Sequence, residues 1–257
     1  SAGTSAEWVA EGAAATESDP AFDSVPLGFK TLTANVRYTK RMAVQGDPAV
    51  ENVLRDDLRR QVAIGLDRAA VAGAGSATEP RGVLNVAGVG AVTLGANGGA
   101  LTWDAVVAFL EAVEEADAGG GALGFLSNAK VKAQMMRTPR MAGVGFILEM
   151  ADGRRAPPTA VPGADTHPES RVAGHPAVFT SLVPSDLTKG TGTGLSAMIF
   201  GNWRDLLIGE FGAMDLIVDP YTESREGNVR LTLHSHWDVA VRHPESFAVC
   251  AEIDTAA

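Results

Sequence analysis

Residues 30–75 read KTLTANVRYTKRMAVQGDPAVENVLRDDLRRQVAIGLDRAAVAGAG, and the change of period inside this stretch decides the fold. Up to Thr39 the apolar positions alternate. Leu32, Ala34, Val36 and Tyr38 share one side and Thr31, Thr33, Asn35, Arg37 and Thr39 the other, which is the period of a half-buried strand. After Pro48 the apolar positions (Val50, Val53, Leu54, Leu58, Val62, Leu66, Ala69, Ala70) recur at helical spacing. Asp47 is a good N-cap, and Pro48 stands at the first helical position, where its missing N–H costs nothing. Glu51–Arg55 and Asp56–Arg60 are i,i+4 pairs, and Gly73 and Gly75 supply the stop. The spacing predicts a helix of about 26 residues, roughly 40 Å long.

Upstream, residues 6–11 (AEWVAE) are the expected partner of that strand, and the polar stretch between them is punctuated by Pro20, Pro26 and Gly28. Residues 1–46 therefore read as one extended hairpin arm. An isolated hairpin is marginal in water, so the arm is expected to lie on something else.

Downstream, a Gly- and Val-rich stretch at 82–94 precedes a second helix. Thr102 caps it, Val106, Phe109, Leu110 and Val113 line one face, and glycines 119–121 end it. A buried strand is expected at 123–126, then a third helix capped by Asn128 and ending before Pro139. Residues 138–170 hold five prolines and no sustained period, and read as a long functional or mobile loop. Strands are expected at 171–183 and 197–200, on either side of a flexible GTGTG linker at 190–194. The longest strand signal puts Val229, Leu231, Leu233, Trp237, Val239 and Val241 on one face. Arg230, Thr232, His234, His236, Asp238 and Arg242 take the other. It spans roughly 45 Å. His243-Pro244 breaks it, and Phe247, Val249, Ala251 and Ile253 mark a closing strand. A compact body of this length is about 45 Å across, so the long helix and long strand each cross it, and the expected shape is a plate.

The chain has 257 residues, 46% of them apolar, enough for a sizeable core. With 21 Lys and Arg against 31 Asp and Glu, the formal charge of −10 argues against a surface that grips phosphates. The single Cys250 allows no intrachain disulfide and no Cys-rich zinc spacing, which fits folding in a cytoplasm. The first residues have neither the basic start nor the apolar core of a signal peptide, and no stretch approaches the roughly 20 apolar residues of a membrane span. A soluble protein is expected, with no membrane partner. The start at Ser1 rather than Met suggests that something upstream was removed or left out.

Ser127 and Lys130 match the S-x-x-K of serine acyl-transfer enzymes, where a helix places Lys one turn after the nucleophile. Ser185-Asp186-Leu187 and Lys189-Gly190-Thr191 are not the companion motifs, so Ser127–Lys130 stands as the rival reading, a serine acyltransferase or hydrolase. His234, His236 and Asp238 share a strand face and could donate to a metal, but alternate residues diverge about 7 Å apart, and a solvated sheet face needs such residues anyway. The 190–194 glycines precede a strand instead of opening a helix, so they make no phosphate cradle. Cys250 alternates with the apolar positions of its strand and reads as a buried small side chain. Glu111, Glu114 and Glu115 fall opposite the apolar stripe of their helix. No catalytic residue, cofactor or metal is assigned, and no enzyme activity is expected.

The order of motifs is itself informative: Glu7-Trp8…Glu11-Gly12, Ser18-Asp19-Pro20…Phe22, strand, long capped helix, then Gly73…Gly75-Ser76…Glu79-Pro80…Gly82-Val83-Leu84. Later come G-F-L-S-N before a short helix, V-A-G-H-P-A-V at 172–178, F-G-N-W at 200–203, and the closing R-L-T-L-H…D-V-A-V-R-H-P-E-S-F-A-V. Together they resemble the major capsid proteins of tailed double-stranded-DNA bacteriophages over nearly the whole chain. The resemblance implies an α+β tailed-phage capsid fold: an extended hairpin loop (1–46), a peripheral domain with the spine helix (47–100 and 204–245), and an axial domain (101–203 and 246–257). The 138–170 segment would lie at the capsomer centre. The resemblance further implies self-assembly as pentamers and hexamers into an icosahedral virion capsid, built in the bacterial host cytoplasm. Portal, scaffold and decoration proteins would be further partners, and DNA would be enclosed without sequence-specific binding.

A gene-transfer particle or protein nanocompartment would use the same fold. Subunit-interface candidates are Trp8, Glu11, Phe22, Leu32, Val36, Arg37, Tyr38 and Arg41. Members of the family carry an N-terminal arm, often after removal of an internal scaffolding segment; almost nothing precedes the hairpin in this sequence, so that arm is expected to be absent or simply not represented here. Some weld the shell through an isopeptide bond from a Lys near the hairpin tip to an Asn; with no Lys before Lys30, and Asn228 as the available acceptor, no crosslink is expected.

Overall fold

The alternating strand and the long helix pack directly on one another, as their facing apolar stripes require. The computed structural model describes residues 6–12, 14, 16–17, 24–45, 49–141, 144–150 and 170–255. The elements are, in order, β1 (Lys30–Thr39), α1 (Lys40–Gln45), α2 (Ala49–Ala72), β2 (Gly90–Ala91), α3 (Trp103–Glu115), β3 (Leu123–Ser127) and α4 (Ala129–Met135). Then follow β4 (Pro139–Met141), β5 (Val144–Phe146), β6 (Leu148–Met150), β7 (Ser170–Val172), β8 (His175–Phe179), β9 (Leu187–Lys189) and β10 (Gly192–Asn202). The last are β11 (Leu206–Glu210), β12 (Asp215–Asp219), β13 (Asn228–Val241) and β14 (Phe247–Ile253).

The smaller sheet is built on β13. One edge pairs antiparallel with all ten residues of β1, from Lys30 opposite Trp237 to Thr39 opposite Asn228. The other edge takes β12 and β11 in succession. One face is covered by α2, whose Leu58 and Val62 are buried with Tyr38, Val229, Leu231 and Leu233. Gly65 sets the spacing: a Cβ there would meet Leu32 Cδ2 at 3.3 Å.

The larger sheet has the order β2-β14-β10-β3-β8-β7-β6, with β9 beside β10. Its core holds Phe109 of α3, Val131 and Met135 of α4, and the rings of Phe125 and Phe200, 4.3 Å apart. Both helices start at the expected caps: Thr102 Oγ1 accepts from Ala105 N–H (3.3 Å), and Asn128 Oδ1 accepts from Val131 N–H (3.0 Å). A third cluster, with Val71, Val83, Ile199, Val241 and Phe247, joins the end of α2 to both sheets.

Several expectations are corrected. Residues 6–11 form no strand, and β1 pairs with β13 instead; α2 then covers the apolar sides of both strands at once, burial that the short AEWVAE segment cannot match. Thr39 Oγ1 accepts from Met42 N–H (3.1 Å) and caps α1, a helix the sequence reading did not anticipate. The long helix has 24 residues, while Asp47 and Pro48 lie outside the described residues. Residues 139–141 and 144–150 are not irregular: β4 and β5 pair, and β6 joins β7. Residues 151–169 of that segment lie outside the described residues. The 190–194 glycines, expected as a flexible turn or linker, form the hairpin turn between β9 and β10, with Gly190 at φ +58° and Gly192 already in β10.

Candidate assembly surface

Residues 24–29 cross the face of the smaller sheet that α2 leaves open. Gly209 has no side chain there, and Leu27 fills the space: a Cβ on Gly209 would lie 2.9 Å from Leu27 Cδ1. Gly28 N–H donates to Asp238 Oδ2 (2.5 Å), and the other carboxylate oxygen accepts from Val239 N–H (2.9 Å). Lys30 Nζ stands 3.4 Å from Asp238 Oδ1 and donates to Glu79 O at 3.0 Å. Phe29 stacks on His236 with ring centroids 4.2 Å apart, and lies 5.8 Å from Phe211. Asp238 thus fixes the point at which the N-terminal segment leaves the sheet.

The same contacts account for the histidines. His236 Nδ1 lies 3.1 Å from Thr31 Oγ1, and His234 Nδ1 lies 3.0 Å from Thr33 Oγ1. His234, His236 and Asp238 are each engaged by a different neighbour, and no metal-holding group of His, Cys, Asp or Glu occurs among the described residues.

At the far end of β13, the turn from Asp219 to Asn228 is tied down by two carboxylates. Asp219 Oδ1 accepts from the N–H groups of Tyr221 (2.9 Å) and Thr222 (3.1 Å), and its other oxygen accepts the Thr222 hydroxyl. Glu223 accepts from the Arg230 guanidinium and from Asn228 Nδ2 (3.1 Å), with Arg37 Nη1 at 3.9 Å. The Thr222 hydroxyl holds the Asp219 carboxyl below its ordinary value, and the Arg230 hydrogen bond does the same for Glu223. Tyr221 is exposed at the tip. The sequence reading missed this turn, although Asp-Pro at 219–220 and Gly-Asn at 227–228 were available as turn signals.

The interface candidates separate into two groups. Leu32 and Val36 are partly buried and Tyr38 is buried against α2, so these three pack in the chain's own core. Trp8 and Glu11 are exposed, Arg37 keeps 71% of its side chain exposed, and the exposed Arg41 donates to Gln45 Oε1 at 3.4 Å. Phe22 lies outside the described residues.

The acyl-transfer pair is not assembled. Buried Ser127 donates its hydroxyl to Ala197 O (2.8 Å), while Lys130 Nζ donates to Ser185 O (3.2 Å). Cys250 is buried, and desolvation pushes its thiol up to about 11, opposite to what a nucleophile requires. Glu111, Glu114 and Glu115 are exposed on α3.

What this geometry offers among the described residues is exposed contact surface, and comparison with known proteins shows which family the chain falls in. The model of the family described as Phage capsid family matches residues 1–251. The chain belongs to the phage capsid family. A curated relative, the major capsid protein of Halomonas phage phiHAP-1, is 25% identical over 242 residues, covering 94% of this chain. The chain spans 35% of that relative's length. Among solved structures, the capsid of an empty GTA particle computed with C5 symmetry matches with TM-score 0.73 at 18% identity, over 98% of this chain and 81% of that one. A Gordonia phage Cozz chain matches with TM-score 0.64 at 20% identity, over 96% of this family member and 77% of that chain. The holo-SrpI encapsulin complex of Synechococcus elongatus PCC 7942 matches with TM-score 0.61 at 17% identity, over 89% and 75%. This family member therefore has the mixed helix-and-sheet fold of tailed-phage capsid proteins.

Proposed function

We propose that this chain is a shell-building subunit, a major capsid protein that associates with copies of itself as pentamers and hexamers into an icosahedral virion container for double-stranded DNA. The family match over residues 1–251 carries the reading. It is supported by an N-terminal segment whose Trp8 is fully exposed, because an aromatic ring left in water beside a firmly anchored base suits burial against a neighbour. Trp8, Glu11, Arg37 and Arg41 are the candidates for that contact. Leu32, Val36 and Tyr38 would shape it from beneath.

The two sheets support a division into a peripheral part on α2 and β13 and an axial part on the larger sheet, with residues 90–91 on the axial side because β2 pairs with β14. The work of this chain is association rather than catalysis. Portal, scaffold and decoration proteins would be its further partners, and the host cytoplasm its place of assembly. A net charge of −10 suits a container that must release its contents, since Lys and Arg contacts to phosphate would hold DNA by counterion release.

Negative-stain microscopy of the purified chain tests this. Closed shells or ring-shaped capsomers are expected, and a monodisperse monomer at high concentration rejects the reading. Likeness to a GTA particle and to an encapsulin supports a second reading, a gene-transfer or protein-cargo shell. Nuclease-protected DNA against protein cargo inside purified particles separates the two.

A further inference from the structure

At the base of the N-terminal segment, α2 and the smaller sheet do not close on one another. Between the last two turns of α2, the start of β1 and Trp237 of β13 they leave a recess of about 110 Å³, walled by Leu32, Leu66, Ala69, Pro80 and Trp237. Trp237 shares the parity of Leu231 and Leu233, which puts it on the α2 side of β13, and it stands opposite Lys30 in the ladder. Its indole Nε1 is buried and has no hydrogen-bond partner among the described residues. Lys30 is already engaged: its ammonium stands 3.4 Å from Asp238 Oδ1 and donates to Glu79 O (3.0 Å), which pins residues 78–80 beside the recess. Thr78 and Glu79 line it too and are exposed, so its mouth lies on that side.

We propose that this recess binds a small neutral molecule with an apolar body and one hydrogen-bond acceptor, the acceptor taking the Trp237 N–H. A closed apolar cavity of about 150 Å³ holds benzene, so a smaller recess open on one side suits a body of about five or six non-hydrogen atoms. The aliphatic and indole walls favour an apolar body. An acceptor is called for because a buried donor left unpaired is costly. An ionised ligand is disfavoured, since its charge would be desolvated against these walls and the one cation at the recess is paired with Asp238. The bound molecule would touch α2, β1 and β13 at once, where residues 24–29 leave the sheet, and would stiffen that base. The site lies within one chain and does not depend on association between copies.

Saturation-transfer NMR on the full chain, assembled or not, tests this with two probes of one shape: cyclopentanone, which carries an acceptor, and methylenecyclopentane, which carries none. The parent should bind both, and Ala69→Leu, which fills the recess, should bind neither. Trp237→Phe removes the N–H and also enlarges the recess, so the two probes are compared within each protein, where the change of volume cancels. The ratio of cyclopentanone affinity to methylenecyclopentane affinity should fall about fivefold in W237F. Three results overturn the site: no saturation transfer to cyclopentanone in the parent, as from a recess that takes only water; an A69L chain that binds like the parent; or a probe ratio that W237F leaves unchanged. Should A69L fail to fold, the W237F ratio decides alone.

Discussion

Glu223 holds the tip of the smaller sheet through three cationic or amide neighbours, and Asp219 folds the turn before it. Both carboxyls are held below their ordinary values, Asp219 chiefly by the Thr222 hydroxyl and Glu223 chiefly by Arg230. For a group whose folded value is depressed, the stabilisation is fully present above the unfolded-state value and is lost as the pH falls through the folded one. Thermal melts followed by circular dichroism should therefore be flat from neutrality to about pH 5 and decline below about pH 4. Glu223→Gln keeps the shape but not the charge. It should melt slightly lower at pH 7 and lose less on acidification to pH 3.5; an acid limb as steep as the parent's would show that Glu223 does not hold the tip.

At the scale of elements, α2 is stable because it lies across β1 and β13 together. Leu58→Ala removes a side chain buried between them and should cost about 3 kcal/mol. In a chain of this length that lowers the melting temperature by roughly 6–12 °C. Val53→Ala, at a position 65% exposed on the same helix, should stay within about 0.5 kcal/mol of the parent. Equal losses at the two positions would mean that the packing of α2 is not as described. Helix and strand periods, the two side-chain caps and the facing of β13 were legible because each is written in residues a few positions apart. The partner of β1 was not. Lys30 and Trp237 are opposite one another yet more than two hundred positions apart, and alternation reveals a strand's faces without revealing who shares its edge. The candidate surface was legible to the same extent. Of the candidates, Trp8 and Arg37 are exposed, while Tyr38, equally aromatic, is buried under α2, because composition alone does not distinguish a surface residue from a core one.

At the scale of the whole molecule, the distribution of lysines bears on how copies are joined. The Lys30 ammonium is occupied by Asp238 and the Glu79 carbonyl, while the Asn228 amide is held by Glu223. Particles boiled in detergent should therefore run as a single monomer band on a denaturing gel. A ladder of covalent oligomers would contradict this.

The ten residue pairs between β1 and β13 also have a mechanical meaning. A tug directed along these strands strains every rung of the ladder simultaneously, whereas one directed across them breaks rungs singly from an end. A wall tiled from such molecules would resist outward stretching best along the strand direction, and would tear first where load crosses it.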